Sequence, residues 1–182
     1  MNGVEMRKLI LYELLSLDGV AESPDDFILD FDDVMEENLL RVISTQDTVI
    51  LGRRTYDEWA EFWPESDIEP FASFINEVPK YVVTSTTPEV SWANTTVADG
   101  DLDEFVTSLK HQSGGDIGVH GSVELSQSLL ARGLVDELRL VIAPSVVLNG
   151  RRLFEGTTPT RFEFTRNATS PTGYILADLR AV

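Results

Sequence analysis

Two arginines stand where a helix should begin. Arg53 and Arg54 follow the β-branched run Thr48–Leu51 and Gly52, and they open a helical pattern that carries Thr55, Tyr56, Trp59 and Ala60. A cation in a first helical turn opposes the helix dipole by about 0.3–1 kcal/mol, and acidic residues are the usual occupants. The placement makes physical sense if the outward N–H groups and the guanidiniums together receive an anion, a phosphate being the simplest. Two solvated arginines paired with nearby carboxylates would look the same, and these residues alone leave both readings open.

Three further segments could join such a site. Gly114-Gly115-Asp116-Ile117-Gly118-Val119-His120-Gly121-Ser122 reads as a strand running into a helix, with small residues that would let a pyrophosphate approach backbone N–H groups. Its spacing is not Gly-x-Gly-x-x-Gly, and a turn that needs glycine for steric reasons is the alternative. Thr84-Ser85-Thr86-Thr87 offers hydroxyls for an adenosine phosphate, or an ordinary turn before Pro88. Ser16-Leu17-Asp18-Gly19 closes the first strand, and the Asp18 carboxyl could orient a heterocycle or deliver a proton, although turn chemistry also accounts for Asp18-Gly19.

Composition removes several other functions. The 182 residues carry 31 acidic against 14 basic side chains, a net charge of −17 that repels nucleic-acid phosphates and anionic lipid surfaces. With no cysteine there is no disulfide framework, zinc ribbon or thiol nucleophile, and only His111 and His120 remain as nitrogen ligands, so no metal site is expected. Asp99, Asp101 and Asp103 mimic a calcium loop but lack the glycine at its sixth position and place Lys110 where a bidentate Glu belongs. Walker A, Gly-x-Ser-x-Gly, Ser-x-x-Lys and His-Glu-x-x-His patterns are absent. The apolar stretch Leu9–Leu17 is interrupted by Glu13 and too short to span a bilayer, which gives the expectation of a cytoplasmic protein.

Positioning these residues falls to alternating strands and helices. Lys8–Leu15, Thr48–Leu51, Tyr81–Thr84, Ile117–His120 and Glu137–Ala143 read as strands. Met35, Leu39, Val42 and Ile43 form one stripe on a helix from about Asp32 to Ser44, and Phe71, Phe74, Ile75 and Val78 form another after Pro70. Asp101 with Glu104 resembles a capping box for Leu102–His111, and Ser122 can cap a helix ending at Arg132-Gly133. Arg161–Arg166 and Tyr174–Leu179 read as an antiparallel pair. The fold class is therefore α/β: three layers, a mixed and mostly parallel central sheet, helices on both faces and a C-terminal antiparallel hairpin. Residues 6–182 form one domain behind a tail of residues 1–5. In such sheets ligands bind beyond the carboxyl ends of the parallel strands, where every candidate above lies.

In order and spacing these segments, with Lys80-Tyr81-Val82-Val83, Gly133-Leu134-Val135-Asp136-Glu137-Leu138 and Pro144 through Gly150-Arg151-Arg152-Leu153-Phe154, resemble the dihydrofolate-reductase-like family that includes the C-terminal reductase domain of bifunctional riboflavin-biosynthesis proteins. The resemblance implies an NADPH-dependent reductase of a small heterocycle, similar to 5-amino-6-(5-phosphoribosylamino)uracil reductase. It assigns Gly52, Arg53, Arg54 and Thr55, with Thr84 and Ser85, to the adenosine-side phosphates. Gly118, His120, Gly121 and Ser122 fall to the pyrophosphate, and Ser16, Gly19 and Val20 to the nicotinamide. Asp18 becomes the catalytic polar contact. It also implies a homodimer through the apolar run Leu138–Leu148. One departure stands out: family members commonly read Val-Glu-Gly-Gly where this chain has Val119-His120-Gly121-Ser122. His120 could be a general acid or a hydrogen-bonded core histidine. A folate-type reductase and a nucleotide-binding module without turnover remain as alternatives.

Overall fold

The computed structural model describes residues 6–156 and 158–182; the expected tail of residues 1–5 lies outside them. The strands are β1 (Leu9–Leu15), β2 (Gln46–Gly52), β3 (Lys80–Val83), β4 (Thr95–Ala98), β5 (Asp116–His120), β6 (Glu137–Ile142), β7 (Phe162–Thr169) and β8 (Ile175–Ala181). The helices are α1 (Asp33–Ile43), α2 (Arg53–Phe62), α3 (Phe71–Glu77), α4 (Leu102–Lys110) and α5 (Val123–Ala131). One eight-stranded sheet runs in the order β4-β3-β2-β5-β1-β6-β8-β7. The first six strands are mutually parallel, β8 runs antiparallel to β6 and β7 antiparallel to β8, as expected of a mixed sheet closed by a hairpin.

Side-chain alternation sorts the core into two layers. Val49 and Leu51 of β2 face one layer with Met35, Leu39 and Val42 of α1, Tyr56 of α2 and Ile75 of α3. Ile50, with Leu9 and Leu11 of β1 and Ile117 and Val119 of β5, faces the other, under Val106 of α4 and Leu129 of α5. Both faces of β1 are covered, which is why it reads as a nearly unbroken apolar run.

Two elements depart from the sequence reading, both at sheet edges. The strand Thr95–Ala98 was not expected, since Thr-Thr-Val-Ala lacks an apolar run; its backbone pairs with β3 alone and its side chains are mostly exposed. The strand β7 continues to Thr169, past the expected Arg166, because an edge strand with both faces largely in solvent needs ladder hydrogen bonds rather than an apolar pattern. The run Leu138–Leu148 also has an explanation within the chain. Strand β6 lies between β1 and β8, so Leu138, Leu140 and Val141 are buried by its own sheet.

Candidate active site

At the carboxyl ends of β2 and β5 two helices begin side by side. The N-cap of α2 is Gly52, which has no side chain to offer, and the first turn of α2 holds no acidic residue. The N-cap of α5 is Ser122, whose hydroxyl accepts from the Gly52 N–H at 3.0 Å instead of capping its own helix. Gly121 and Ser122 both adopt φ of 57°, the left-handed region. A Cβ at Gly121 would rest in ordinary contact with the Trp59 ring at 3.4 Å, so the backbone conformation, not space, favours glycine there. Ser122 bears the strain of that conformation, of order 1–3 kcal/mol, a cost that concentrates at ligand sites. The other helices are served differently. Asp32 caps α1 through Met35 N and Asp101 caps α4 through Glu104 N, each at 3.0 Å, while Glu69 accepts from Ser73 N at the start of α3.

Between α2 and α5 lies a cleft of about 630 Å³ lined by Gly52, Arg53, Arg54, Thr55, Ser122, Val123, Glu124 and Arg151, with Val83, Leu102 and Leu125 among its apolar walls. The Arg53 guanidinium is organised by Asp57, at 2.8 and 2.9 Å, and by Thr86, whose hydroxyl and carbonyl accept at 2.7 and 3.1 Å. Thr84 lies at 3.5 Å from the same guanidinium, so the hydroxyl segment after β3 and Arg53 do come together. Ser85 is exposed beside them and does not line the cleft. Arg54 is the looser cation, with Glu58 at 3.4 Å and Glu22 at 3.6 Å.

A third cation, Arg151, was not singled out in the sequence. It sits on a strap tied to the first turn by a bridge between Val20 and Arg152, and it donates to Glu22 at 3.1 Å and Glu124 at 2.6 Å. The backbone N–H of Arg151 and then its charge lower the pKa of Glu22. The available signal was Gly150-Arg151-Arg152 itself, a rare pair of cations beside a glycine in an acidic chain. Gly150 is required there, at φ 113° with a Cβ position 2.8 Å from Val20.

The first turn is held together by its own carboxylate. Asp18 accepts from the Ser16 hydroxyl at 2.8 Å and from the N–H groups of Val147 and Leu148 at 3.1 and 3.0 Å, with Arg152 at 3.5 Å. The Ser16 bond above all, then those from the backbone, lowers its pKa to about 2. A carboxylate ionised and engaged in this way is a tie between two loops, not a proton donor at neutral pH. Ser16 and Val20 are buried, the Ser16 hydroxyl accepts from Val20 N at 2.9 Å, and Gly19 supplies the turn at φ 83°.

Strand β5 divides its residues between the two layers. Gly118 and His120 face the α1–α3 side, away from the cleft, and a Cβ on Gly118 would collide with the Gln46 side chain. Gln46 Oε1 lies 2.7 Å from His120 Nε2, and burial lowers the His120 pKa to about 3, so the imidazole is neutral and not a general acid. Of the pyrophosphate segment Ser122 lines the cleft, with Gly121 next to it in the turn. On the cleft side lies Glu13, which in the sequence only interrupts an apolar run. It is buried beneath α5, with the Ser126 hydroxyl 3.1 Å from both Glu13 Oε1 and the Gly121 carbonyl. Desolvation raises the Glu13 pKa well above the carboxylate range. As a neutral acid it can donate to Ser126 while Ser126 donates to Gly121, bracing the turn.

With this geometry in view, comparison with known proteins decides the family. A sequence model of the RibD C-terminal domain matches residues 7–176. The chain belongs to the RibD C-terminal domain family. It is 30% identical over 160 residues to the uncharacterized protein YyaP of Bacillus subtilis (strain 168), covering 84% of this chain and 83% of that one. Among solved structures, a pyrimidine reductase-like protein from Corynebacterium diphtheriae superposes with a TM-score of 0.70 at 15% identity, over 98% of this chain and 93% of that one. A diaminohydroxyphosphoribosylaminopyrimidine deaminase/5-amino-6-(5-phosphoribosylamino)uracil reductase from Thermotoga maritima gives 0.68 at 13% identity, over 97% of this chain and 57% of that chain. The RibD-type, dihydrofolate-reductase-like fold expected from the sequence is the fold found.

Proposed function

We propose that this RibD-family chain is an NADPH-dependent oxidoreductase acting on a small heterocycle. One observation carries the reading: two helix N-termini without side-chain caps share a cleft with Arg53, Arg54 and Arg151 in a chain of net charge −17. Open N–H groups and guanidiniums are what a phosphorylated dinucleotide needs, and the left-handed Gly121-Ser122 turn keeps bulk away from the N–H groups. In this reading Arg53 and Arg54 with Thr84 and Thr86 hold adenosine-side phosphate, and Gly121, Ser122 and Arg151 hold pyrophosphate. NADPH when bound supplies a hydride from its nicotinamide C4. The chain's own residues do the rest. Glu13 and Ser126 brace the turn, Asp18 fixes the loop before the strap, and the apolar cleft walls exclude water.

Support for a reductase of the riboflavin-biosynthesis type comes from the family and from the activity named for the Thermotoga maritima protein. The test is direct. The purified protein is mixed with C4-deuterated NADPH and 5-amino-6-(5-phosphoribosylamino)uracil, and in parallel with dihydrofolate. Deuterium in the pyrimidine product supports the reading; deuterium only in the folate product shifts the substrate class. Binding without transfer to any acceptor leaves a nucleotide-binding module. The same reading includes a cytoplasmic homodimer. Among the described residues no helix is long and apolar enough to cross a membrane, and Val146 and Leu148 expose apolar surface after β6. Light scattering should give twice the chain mass at micromolar concentration, and a monomer would remove the dimer.

A further inference from the structure

The fold sorts its cations by end. Of the 14 Lys and Arg in the chain, all within the described residues, Arg53, Arg54, Arg151 and Arg152 alone stand at the carboxyl ends of the parallel strands. The others lie at the amino ends, on the helix ends that lead into them, or on the hairpin beside the start of β6. There Lys8 pairs with Glu137, Arg41 with Asp178, Lys110 with Asp136 and Arg132 with Asp103. Lys80 opens β3 and donates to the carbonyls of Ile75 and Val78 at 2.8 and 3.0 Å.

At the carboxyl end, Arg53, Arg54 and Arg151 line the one cleft between α2 and α5. Arg152 is engaged in the first turn, where it donates to the carbonyls of Asp18 and Leu148 at 3.1 and 3.2 Å. Burial keeps the His120 imidazole neutral, so it adds no cation. The remaining helix starts on that side are answered from within the chain: Asp32 accepts at α1, Glu69 at α3 and Asp101 at α4. A carboxylate in that place leaves a helix N-terminus nothing to offer an incoming anion. The intervening segments are acidic. Ten Asp and Glu but no Lys or Arg lie between Lys8 and Arg41, and seven but no Lys or Arg between Arg54 and Lys80.

The capacity to receive anions at this end is therefore gathered in one cleft, and the adenosine-side phosphate and pyrophosphate of a dinucleotide account for it. A second phosphorylated ligand bound at the same time would meet carboxylates, and like charges brought together at a binding surface oppose association. We propose that the acceptor reduced by this chain carries no phosphate or carboxylate arm: it is an uncharged or cationic heterocycle. On this account 5-amino-6-(5-phosphoribosylamino)uracil is a poorer ligand than its dephosphorylated riboside, and dihydrofolate, with its glutamate carboxylates, is poorer than the bare dihydropterin. The inference rests on the reductase reading, because it assigns the three cleft arginines to the cofactor.

Two measurements test it. In the first, inorganic phosphate is titrated into the protein with and without saturating NADPH, followed by phosphorus NMR. Phosphate should bind the free protein in competition with NADPH, and the NADPH-saturated protein should take up none. A phosphate site that persists beside bound NADPH overturns the proposal. In the second, dissociation constants are measured by calorimetry with saturating NADP+, which permits no turnover. The ligands are the phosphorylated pyrimidine and its phosphatase product, and dihydrofolate and 6-methyl-7,8-dihydropterin. The arm-free member of a pair should bind at least about tenfold tighter, the effect of leaving an anion among carboxylates. A charged member that binds as tightly as its arm-free counterpart, or more tightly, overturns the proposal. Failure to bind NADPH removes the reductase reading and this inference with it, whereas NADPH binding together with a preference for the phosphorylated pyrimidine overturns this inference alone.

Discussion

Helices α1 and α4 begin with carboxylates that answer their own N–H groups; α2 and α5 begin side by side at the cleft with no such answer. In α2 two arginines occupy the first turn, and in α5 the one hydroxyl in capping position is turned to Gly52, while Glu124 is drawn to Arg151. All four cover the same sheet, so helix formation does not require the difference. Caps stabilise the first pair for the sake of the fold. At the second pair about 1 kcal/mol per missing cap is forgone in a place where an anion can supply the missing contacts.

Giving the second pair what the first pair has should produce the largest effect. Ser122→Asp puts a carboxylate against the N–H groups and should weaken NADPH by at least about hundredfold, since like-charge juxtaposition at a binding surface costs several kcal/mol. The melting temperature of the ligand-free protein should hold, because an aspartate tolerates the left-handed conformation and its carboxylate can still accept from the Gly52 N–H. Titration calorimetry and melting curves check both halves. Next in size is removal of the cations. Arg53→Gln, which loses an organised guanidinium, should weaken NADPH by about ten- to hundredfold, in line with about 1.5–3 kcal/mol for a hydrogen bond to a charged group. Arg54→Gln, at a more exposed and loosely paired position, should cost no more than about fivefold. Equal losses at the two positions would show that general charge, not the geometry of the Arg53 site, attracts the cofactor.

The pH dependence separates the two faces. His120 titrates near 6.5 when unfolded and at about 3 when folded, so the unfolded state takes up a proton first as pH falls. Stability is intact above 6.5 and declines toward 3, by up to about 1.4 kcal/mol per pH unit. His120→Leu should flatten that part of the denaturation profile while leaving NADPH affinity at pH 7 unchanged. The smallest effect belongs to the capped pair. Asp101→Ala should cost about 1 kcal/mol, a shift of about 2–4 °C at this chain length, with no change in cofactor affinity.

Much of the fold was legible because apolar periodicity survives in every central strand and helix. It failed at β4 and along β7, where an edge strand is held by backbone pairing and its side chains carry no pattern. The site was legible where a local rule was broken: Arg53 and Arg54 against the dipole could be seen in one turn of sequence. Arg151 carried only the weaker signal of two cations beside a glycine, since it reaches the cleft only after the strap bridges to Val20. The fate of Asp18 and His120 could not be seen, since it was decided by partners far along the chain, Val147 and Leu148 for one and Gln46 for the other. Residue type marks what a side chain can do, and long-range packing decides whether it is free to do it.

The account stands on the open helix ends receiving a dinucleotide's phosphates. The most direct measurement is a melting curve of the wild-type protein with and without NADPH, repeated for Ser122→Asp. At a hundredfold excess over Kd, the wild type should gain about 2.7 kcal/mol, a rise of about 5–10 °C, and Ser122→Asp should show almost none of it. A wild-type curve that NADPH leaves in place, or a rise that survives in Ser122→Asp, would contradict the account.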